Sequence, residues 1–219
     1  YWRDWSSDVC SSDLSAAAAG HAAPTAGGFR QLGLSSATLA AVDRAGYTTP
    51  TPVQAGLIPR ALAGVDVLGQ ARTGTGKTAS FVLPILERML QPGRAGGPRA
   101  LVLVPTRELA VQVKDEFEKL AHGTKIHCVA VYGGKPIKGQ IDKLAKHPAV
   151  VVGTPGRVLD HMSRGTLSLS ALDIVTLDEA DRMLDIGFRP DIEKILRRCP
   201  ESRQTLLLSA TVPPPVQKL

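Results

Sequence analysis

The residues most able to do chemistry lie between positions 71 and 78, in the sequence ARTGTGKT. A short apolar run precedes this segment, and apolar residues at helical spacing follow it as far as Leu90. A strand, a glycine-containing loop, Lys-Thr and a helix are the parts of a phosphate-binding loop, in that order. In such a loop backbone N–H groups surround the phosphate oxygens, and the helix N-terminus adds partial positive charge. The segment therefore predicts a nucleotide site, although Ala71 stands where the pattern has its first glycine.

Within this loop each residue type has its own expected role. Lys77 is expected to neutralise the β- and γ-phosphates, and the hydroxyl of Thr78 is expected to ligate Mg²⁺. The remaining expected phosphate contacts come from Thr73, Gly74, Thr75 and Gly76. A glycine-rich turn that happens to end in Lys-Thr is the competing interpretation, and the flanking strand and helix favour phosphate binding over it.

A second group of candidate residues is acidic and follows the apolar segment 174–177. A carboxylate at the carboxyl end of a strand is where a phosphate-loop ATPase holds its metal, so Asp178 is expected to hold Mg²⁺, partly through water. Glu179 is the candidate base that orients the attacking water. Acidic clusters alone are more often solvated helix starts, but here a phosphate loop accompanies the cluster. The two groups together predict nucleotide hydrolysis, with Lys77, Asp178 and Glu179 as the catalytic residues.

The rest of the chain alternates between apolar strand segments and helical segments, which predicts a doubly wound, mostly parallel α/β sheet. The strands are apolar along their whole length, as expected when helices cover both faces of the sheet. In such sheets the ligand lies beyond the carboxyl ends of the strands. After the phosphate loop the predicted strands are 100–104, 126–131, 150–153, 174–177 and 205–208, and the predicted helices along the chain are 34–45, 53–63, 78–90, 108–121, 136–145, 156–163 and 189–197.

The bulk composition fits one large domain. The chain has 219 residues, of which 43% are hydrophobic, and a net charge of +6, which favours a polyanionic partner. An apolar run of membrane-spanning length is absent from the sequence, so no membrane association is expected. The three cysteines show neither paired nor metal-ligand spacing, which fits a reducing compartment and a cytoplasmic protein.

The first 28 residues differ in character from the rest. Residues 1–14 lack the pattern of a signal peptide, and the string RDWSSDVCSSDL resembles the translation of a short-read sequencing adapter. We therefore expect residues 1–14 to be non-native. Residues 15–28 are rich in alanine and glycine and predict a flexible lead, so the folded domain is expected to occupy 29–219.

Several motifs, in a fixed order, resemble the first RecA-like domain of a bacterial DEAD-box ATP-dependent RNA helicase. Besides the phosphate loop and the acidic segment, the matching motifs are the Q motif at 46–54 (GYTTPTPVQ), motif Ia at 105–110 (PTRELA), the GG motif at 133–134, motif Ib at 154–157 (TPGR) and motif III at 209–211 (SAT). The resemblance runs from Phe29 to Leu219. It implies a RecA-like phosphate-loop NTPase domain, with ATP and Mg²⁺ as cofactors and RNA as partner.

The resemblance also implies roles for individual residues. Gln54 would read the edge of adenine, and Tyr47 would stack on the base. One RNA strand would be held by its sugar-phosphate backbone, without base readout, through Pro105, Thr106, Arg107, Gly133, Gly134, Thr154, Gly156 and Arg157. Asp181, Ser209 and Thr211 would couple the state of the nucleotide to RNA binding.

The family's second RecA-like domain, with its arginine finger, would follow Leu219, so the chain is expected to be an incomplete, nearly inactive and monomeric part of the enzyme. Two alternatives stay open at this point. One is another phosphate-loop ATPase, such as a DNA translocase. The other is a non-catalytic module that binds nucleotide or RNA weakly.

Overall fold

The computed structural model of the chain describes residues 9–11, 28–72, 74–93 and 97–212. Its strands are β1 (Val9–Ser11), β2 (Val67–Gln70), β3 (Ala100–Leu103), β4 (Cys128–Val131), β5 (Val150–Gly153), β6 (Ile174–Asp178) and β7 (Gln204–Ser209). Its α-helices are α1 (Ser36–Arg44), α2 (Pro52–Leu62), α3 (Lys77–Leu90), α4 (Arg107–Ala121), α5 (Lys138–Leu144), α6 (Pro155–Ser163), α7 (Ala180–Asp185) and α8 (Arg189–Leu196), and a 3₁₀ helix covers Gly28–Leu32. Among the residues that the structure describes, no helix combines the length and the apolar character needed to cross a membrane.

The strands form one sheet in the order β1-β2-β7-β6-β3-β5-β4, and every pairing in it is parallel. The predicted doubly wound parallel sheet is therefore confirmed. β1, which the sequence did not predict, adds three residues beside β2 at one edge. Of the segments 1–14 and 15–28, the structure describes only 9–11 and residue 28. The expectations of a non-native start and a flexible lead otherwise lie outside the described residues and stay predictions.

Apolar side chains cover both faces of the sheet. On one face α2, α3 and α4 contribute the large buried side chains of Leu57, Phe81 and Phe117. On the other face α6 and α7 contribute Val158 and Met183, among others. Strands that are buried on both faces favour apolar residues at successive positions, which explains why most strand residues are apolar.

Two differences from the predicted elements have local causes. α4 begins at Arg107 because the side chain of Thr106 accepts a hydrogen bond from the backbone N–H of Leu109 and so caps the helix. α7 was not predicted, since its six residues are too few to show a helical period. Neither difference moves a motif away from the carboxyl end of its strand.

The strand order sorts the motifs into two neighbouring groups along one edge of the sheet. The phosphate loop follows β2, the acidic segment follows β6, and residues 209–211 end β7, which lies between those two strands. The segments at 105–107, 133–134 and 154–157 follow β3, β4 and β5, which are the other three neighbouring strands. Because carboxyl ends of parallel strands share an edge, both groups face the same side of the domain.

Candidate functional site

The phosphate loop has the backbone that its glycines predict. Gly74 and Gly76 have φ values of +82° and +81°, which favour glycine, and α3 begins directly after them at Lys77. Ala71, at the position of the expected first glycine, is buried, and its N–H donates to the carbonyl of Ser209 on β7. It does not belong to the described non-glycine residues with positive φ, so alanine fits there without strain. The predicted contact from Thr73 lies outside the described residues.

Lys77 and Asp178 form a buried ion pair between the two predicted halves of the nucleotide site. Nζ of Lys77 lies 3.0 Å from Oδ1 of Asp178, and the two side chains are 6% and 1% exposed. Burial raises the pKa of the Asp178 carboxyl, and the Lys77 ammonium opposes that shift. Apart from this ion pair, Nζ of Lys77 and the carboxylate oxygens of Asp178 have no side-chain hydrogen-bond partner within the described residues. Buried charges with so few partners fit a site that receives phosphates and a cation.

The donor set near Asp178 also fits Mg²⁺. Among the described residues, no cluster of three or more His, Cys, Asp or Glu side chains is arranged to hold a metal ion by itself. Mg²⁺ typically binds through one or two carboxylates together with substrate phosphates and water, rather than in an all-protein cage. Asp178 at the end of β6 and the hydroxyl of Thr78 in the first turn of α3 are the residues that would hold it.

Glu179 has an unusual backbone conformation. Its φ and ψ are 54° and 51°, in the left-handed region, at the N-terminus of α7. A non-glycine residue pays a conformational penalty there, of the order of 1–3 kcal/mol, and such residues cluster at functional sites. Oε2 of Glu179 lies 3.2 Å from Nη1 of Arg182.

One cavity of about 270 Å³ joins the phosphate loop to the acidic segment. Its lining includes the predicted residues Tyr47, Gly74, Gly76, Lys77, Thr78, Asp178 and Glu179. The volume is near the lower end of the range for small-molecule sites. The structure therefore brings the predicted phosphate, metal and base residues together around one space.

Tyr47 lies at the cavity and is held by α4. Its hydroxyl donates a hydrogen bond to Oε1 of Glu116, and Nζ of Lys119 lies 5.0 Å from the centre of its ring. The ring of Phe29 packs against it at a tilt of 49°, with 6.2 Å between ring centres. Burial, and then the hydrogen bond to Glu116, raises the pKa of the Tyr47 hydroxyl well above its usual range. The aromatic ring is thus fixed in place and neutral.

Gln54 lies behind the phosphate loop. It is buried, and its Oε1 accepts from the backbone N–H of Thr51 as part of a capping box at the start of α2. Its Nε2 donates to the carbonyl of Gly76 at 3.0 Å. It is not among the residues that line the cavity. In this conformation Gln54 ties the Q-type segment to the phosphate loop, and reading of the adenine edge stays a prediction.

The acidic segment is bonded to the end of β7. The backbone N–H of Asp181 donates to Oγ of Ser209 at 3.1 Å. Oδ2 of Asp181 accepts from both the N–H and the hydroxyl of Thr211, each at 2.9 Å. These hydrogen bonds, after the opposing effect of burial, hold the pKa of the Asp181 carboxyl below its usual value. The three residues expected to act in coupling are therefore in direct contact.

The three segments with predicted RNA contacts present mainly backbone and a few cationic groups. Arg107 is exposed, and its Nε lies 3.2 Å from Oε1 of Glu108. Nη1 of Arg107 lies near Gly134, 3.9 Å from where a side-chain Cβ would be at that position. The segments at the ends of β3 and β4 thus approach each other across β5. Gly133, Gly134 and Gly156 are exposed, Thr154 is half-buried, and Pro105 is buried.

Arg157 differs from a freely exposed cation. Its side chain is 15% exposed, and its Nη1 donates to the carbonyl of Lys135 at 3.1 Å. Its Nε lies 3.8 Å from Oδ2 of Asp160. Arg157 therefore connects the start of α6 to the loop after β4, and part of its donor capacity is used inside the protein.

Sequence reasoning missed the contribution of α4 to the nucleotide cavity. Gln112 and Glu116 line the cavity, and Glu116 holds Tyr47. Their spacing of four residues puts both on one helix face, which is a signal that the sequence contains. Their partners come from other elements, however, so that spacing alone indicates only an ordinary polar face.

Fold and site together define a phosphate-loop nucleotide-binding domain of the RecA-like type, with a second set of loops along the same sheet edge. The family model for DEAD/DEAH box helicases matches residues 51–219. The chain belongs to the DEAD/DEAH box helicase family, as the motifs predicted.

Individual relatives agree with this assignment. The chain is 50% identical over 191 residues to a protein named DEAD-box ATP-dependent RNA helicase CshA from Geobacillus kaustophilus (strain HTA426), covering 87% of this chain and 40% of that protein. It is 48% identical to ATP-dependent RNA helicase CshA from Listeria monocytogenes serovar 1/2a, covering 87% of this chain and 36% of the relative. The crystal structure of a DEAD box protein from the hyperthermophile Methanococcus jannaschii superimposes with a TM-score of 0.80 at 45% identity, covering 86% of this chain and 51% of that one. The chain thus spans about 40% or less of the length of these curated relatives.

Proposed function

We propose that the chain is the ATP- and RNA-binding half of an ATP-dependent RNA helicase that locally opens or remodels RNA. The observation that carries the proposal is the placement of two sites on one sheet edge. The buried pair of Lys77 and Asp178 lies at β2 and β6, and the exposed segments lie at the neighbouring strands β3, β5 and β4. A nucleotide and a polyanionic strand bound there would lie side by side.

At the nucleotide site, the residues divide the work by charge and position. Lys77 releases Asp178 when phosphates enter and pairs with the β- and γ-phosphates instead. Asp178 and Thr78 would hold Mg²⁺, which would neutralise charge on the phosphate oxygens when bound. Glu179 orients the attacking water and accepts its proton. Glu179 follows Asp178 directly and lines the same cavity.

Selection of ATP rests on the Q-type segment. Tyr47 is held by Glu116 and offers an immobile ring face for a base. Gln54 carries amide groups of the type that pair with the edge of adenine, and it contacts the phosphate loop at Gly76. Base and phosphate recognition are in this way joined through a single side chain.

At the RNA site, the proposed contacts are to the backbone of the strand. The backbone N–H groups at Gly133, Gly134 and Gly156, with the cation of Arg107, suit phosphate oxygens and carry no base-reading groups. We therefore propose binding that is independent of base sequence and depends steeply on salt.

A second RecA-like domain is proposed as the partner that completes the enzyme. An arginine supplied by another element typically contributes ~10³–10⁵ in the rate of phosphoryl transfer. The 219 residues alone would accordingly hydrolyse ATP very slowly. We further propose that the protein is monomeric and cytoplasmic.

Turnover of ATP with and without RNA tests the proposal. The chain alone should show little activity, and addition of the second domain from a CshA relative, or of the downstream sequence, should produce RNA-stimulated turnover. In the completed enzyme Glu179→Gln should remove turnover and leave ATP binding intact, whereas the exposed control Glu118→Gln should change neither. Stimulation by DNA alone would indicate a translocase, and absence of turnover in the completed protein would indicate a binding module. Robust RNA-stimulated turnover by the 219 residues alone would contradict the role given to the second domain.

A further inference from the structure

Two polar side chains are buried beneath the segments with predicted RNA contacts, in an otherwise apolar layer. Gln140 on α5 is 7% exposed, and His161 on α6 is 0% exposed. The nucleotide site uses neither of them. A buried amide and a buried imidazole destabilise the fold unless they are hydrogen-bonded, so their partners indicate why they are there.

Gln140 bonds to the residue that precedes the glycine pair. Its Oε1 accepts from the backbone N–H of Tyr132 at 3.2 Å, and its Nε2 donates to the carbonyl of Tyr132 at 3.0 Å. β4 ends at Val131, so Tyr132 is the first residue beyond the strand. The amide of Gln140 thus takes the place of a neighbouring strand and satisfies both backbone groups of Tyr132.

His161 supports Gln140 from the other side. Its Nε2 lies 3.3 Å from Oε1 of Gln140, and its Nδ1 lies 2.9 Å from the hydroxyl of Thr166. Because the bonds to Tyr132 fix the orientation of the amide, Oε1 is an acceptor, and Nε2 must carry the proton that it accepts. Burial lowers the pKa of His161, which keeps the ring neutral. In this tautomer Nδ1 is an acceptor for the hydroxyl of Thr166, whose single proton can instead go to the carbonyl of His161, 3.1 Å away.

Further hydrogen bonds around Gln140 and His161 join the end of β4 and the loop after it to the start of α6. The backbone N–H of Thr154 donates to the carbonyl of Val131 at 3.1 Å, just before α6. Nη1 of Arg157 donates to the carbonyl of Lys135 in the loop after the glycine pair. The start of α6 is therefore bonded to Val131, directly before the loop 132–137, and to Lys135 within that loop, and Gln140 with His161 forms the buried part of the connection.

We propose that Gln140, supported by His161, is a positioning residue for RNA binding. It fixes the loop of Gly133 and Gly134 at a set distance from the start of α6, so that the two backbone-binding segments engage successive phosphates of one strand. Phosphate contacts fix the register of a strand only when the donors themselves are held in place, because each misplaced donor forfeits its hydrogen bond. This inference rests on the proposed RNA binding at these segments.

The test replaces the amide by a thioether of similar shape, in Gln140→Met, in the full 219-residue chain. The affinity for a labelled, unstructured single-stranded RNA is measured by fluorescence anisotropy, and the affinity for a fluorescent ATP analogue is measured on the same preparations. We expect the RNA dissociation constant to rise roughly tenfold, with the ATP dissociation constant unchanged. The amide NMR signals of Gly133 and Gly134 should shift at the same time. The matched control is Gln31→Met, the same chemical change at an exposed position in the 3₁₀ helix, and it should change neither affinity.

His161→Phe serves as a second variant. It removes the support and keeps both bonds between Gln140 and Tyr132, so we expect a smaller rise in the RNA dissociation constant, of roughly threefold. An effect larger than that of Gln140→Met would overturn the assigned order of support.

Failure of this inference is distinguishable from failure of the proposed function through Arg107→Ala. If Arg107→Ala weakens RNA binding and Gln140→Met does not, the positioning role is wrong and the proposed function stands. If Gln140→Met weakens ATP and RNA binding in parallel, the residue is general packing and the inference is also wrong. Absence of RNA binding by the unaltered chain at low salt would overturn both.

Discussion

The buried pair between Lys77 and Asp178 makes a prediction about the nucleotide-free protein as well as about ATP binding. Lys77→Met preserves most of the side-chain volume and removes the ammonium that lies 3.0 Å from the carboxylate. We expect ATP binding to be lost, since no compact cation then remains between the β- and γ-phosphates. We also expect the protein without ligand to become less stable, because Asp178 is left as an unpaired charge at 1% exposure.

The size of this second effect follows from burial. Breaking a buried ion pair by removal of one partner typically costs ~3–5 kcal/mol in the free energy of unfolding. Burial raises the pKa of Asp178, so the carboxyl can become neutral and avoid part of the cost of a buried charge. We therefore expect the free energy of unfolding to fall by about 3 kcal/mol, the lower end of that range. For a domain of this size such a loss lowers the melting temperature by roughly 6–12 °C. Adding Asp178→Asn should restore most of the lost stability, because the double variant buries no charge at this pair. The coupling free energy between the two substitutions should be about 2 kcal/mol.

Urea unfolding of the four proteins of this cycle, without nucleotide or Mg²⁺, measures the coupling, and titration with a fluorescent ATP analogue measures binding. Lys146→Met, at an exposed position after α5, is the matched control and should change neither quantity. The double variant should be stable and still unable to bind ATP, which separates the two roles of Lys77. Additive free energies in the cycle would refute the reasoning about the pair. Unchanged ATP affinity in Lys77→Met would remove Lys77 from the site.

Three further predictions concern base selection, pH and salt. In competition experiments the chain should prefer ATP over GTP, and equal affinity for both nucleotides would contradict adenine reading. Gln54→Ala should lower the affinity for ATP roughly tenfold. It should also lower the affinity for GTP, because the hydrogen bond from Gln54 to Gly76 supports the phosphate loop itself. Burial lowers the pKa of His161, so the unfolded chain binds a proton more readily than the folded one, and the free energy of unfolding should fall as the pH drops below the ordinary histidine pKa of about 6.5. Urea unfolding at high and low pH should show this extra loss of stability in the unaltered chain and not in His161→Phe. Identical pH profiles for the two proteins would refute this role of His161. RNA binding should weaken in Arg107→Ala with a salt slope smaller by roughly 0.7, as expected for one lost phosphate contact to a single strand; an unchanged slope would place Arg107 away from the phosphates.

The sequence predicts the parts of the site that depend on chain order. Six strands were predicted close to their observed positions, and each motif except the Q-type segment at 46–54 follows one of them. In a parallel sheet the carboxyl ends of the strands share one edge. β7 pairs with both β2 and β6, so Thr211 after β7 lies beside Asp181 after β6, and Lys77 after β2 lies across the end of β7 from Asp178. The strand order that brings β2, β7 and β6 together was not predicted, so these particular contacts come from the structure.

The sequence did not predict the partners that lie far apart along the chain. Gln54 was interpreted as a base-reading residue, although the spacing Thr51-x-x-Gln54 also matches a capping box, which the structure forms. Arg157 was predicted to contact RNA and Gln140 was not singled out, and both are partly or wholly buried against the loop after β4. A polar residue that is buried by a specific long-range partner has no periodic signal, because its position is decided by tertiary contact rather than by local pattern.

Ser209 gives the physical reason for treating the two halves of the nucleotide site as one unit. Its carbonyl accepts from the N–H of Ala71 at the entry to the phosphate loop, and its Oγ accepts from the N–H of Asp181 in the acidic segment. Displacement of either segment therefore changes a bond to the same residue. The next residues toward the chain end include Thr211, which binds Asp181 through two hydrogen bonds. Since β6, which carries the acidic segment, also pairs with β3, the segment that carries Arg107 lies one strand away from this junction. The proposed coupling between nucleotide and RNA binding would therefore start at residues 209–211, whose hydrogen bonds reach both the phosphate loop and the acidic segment.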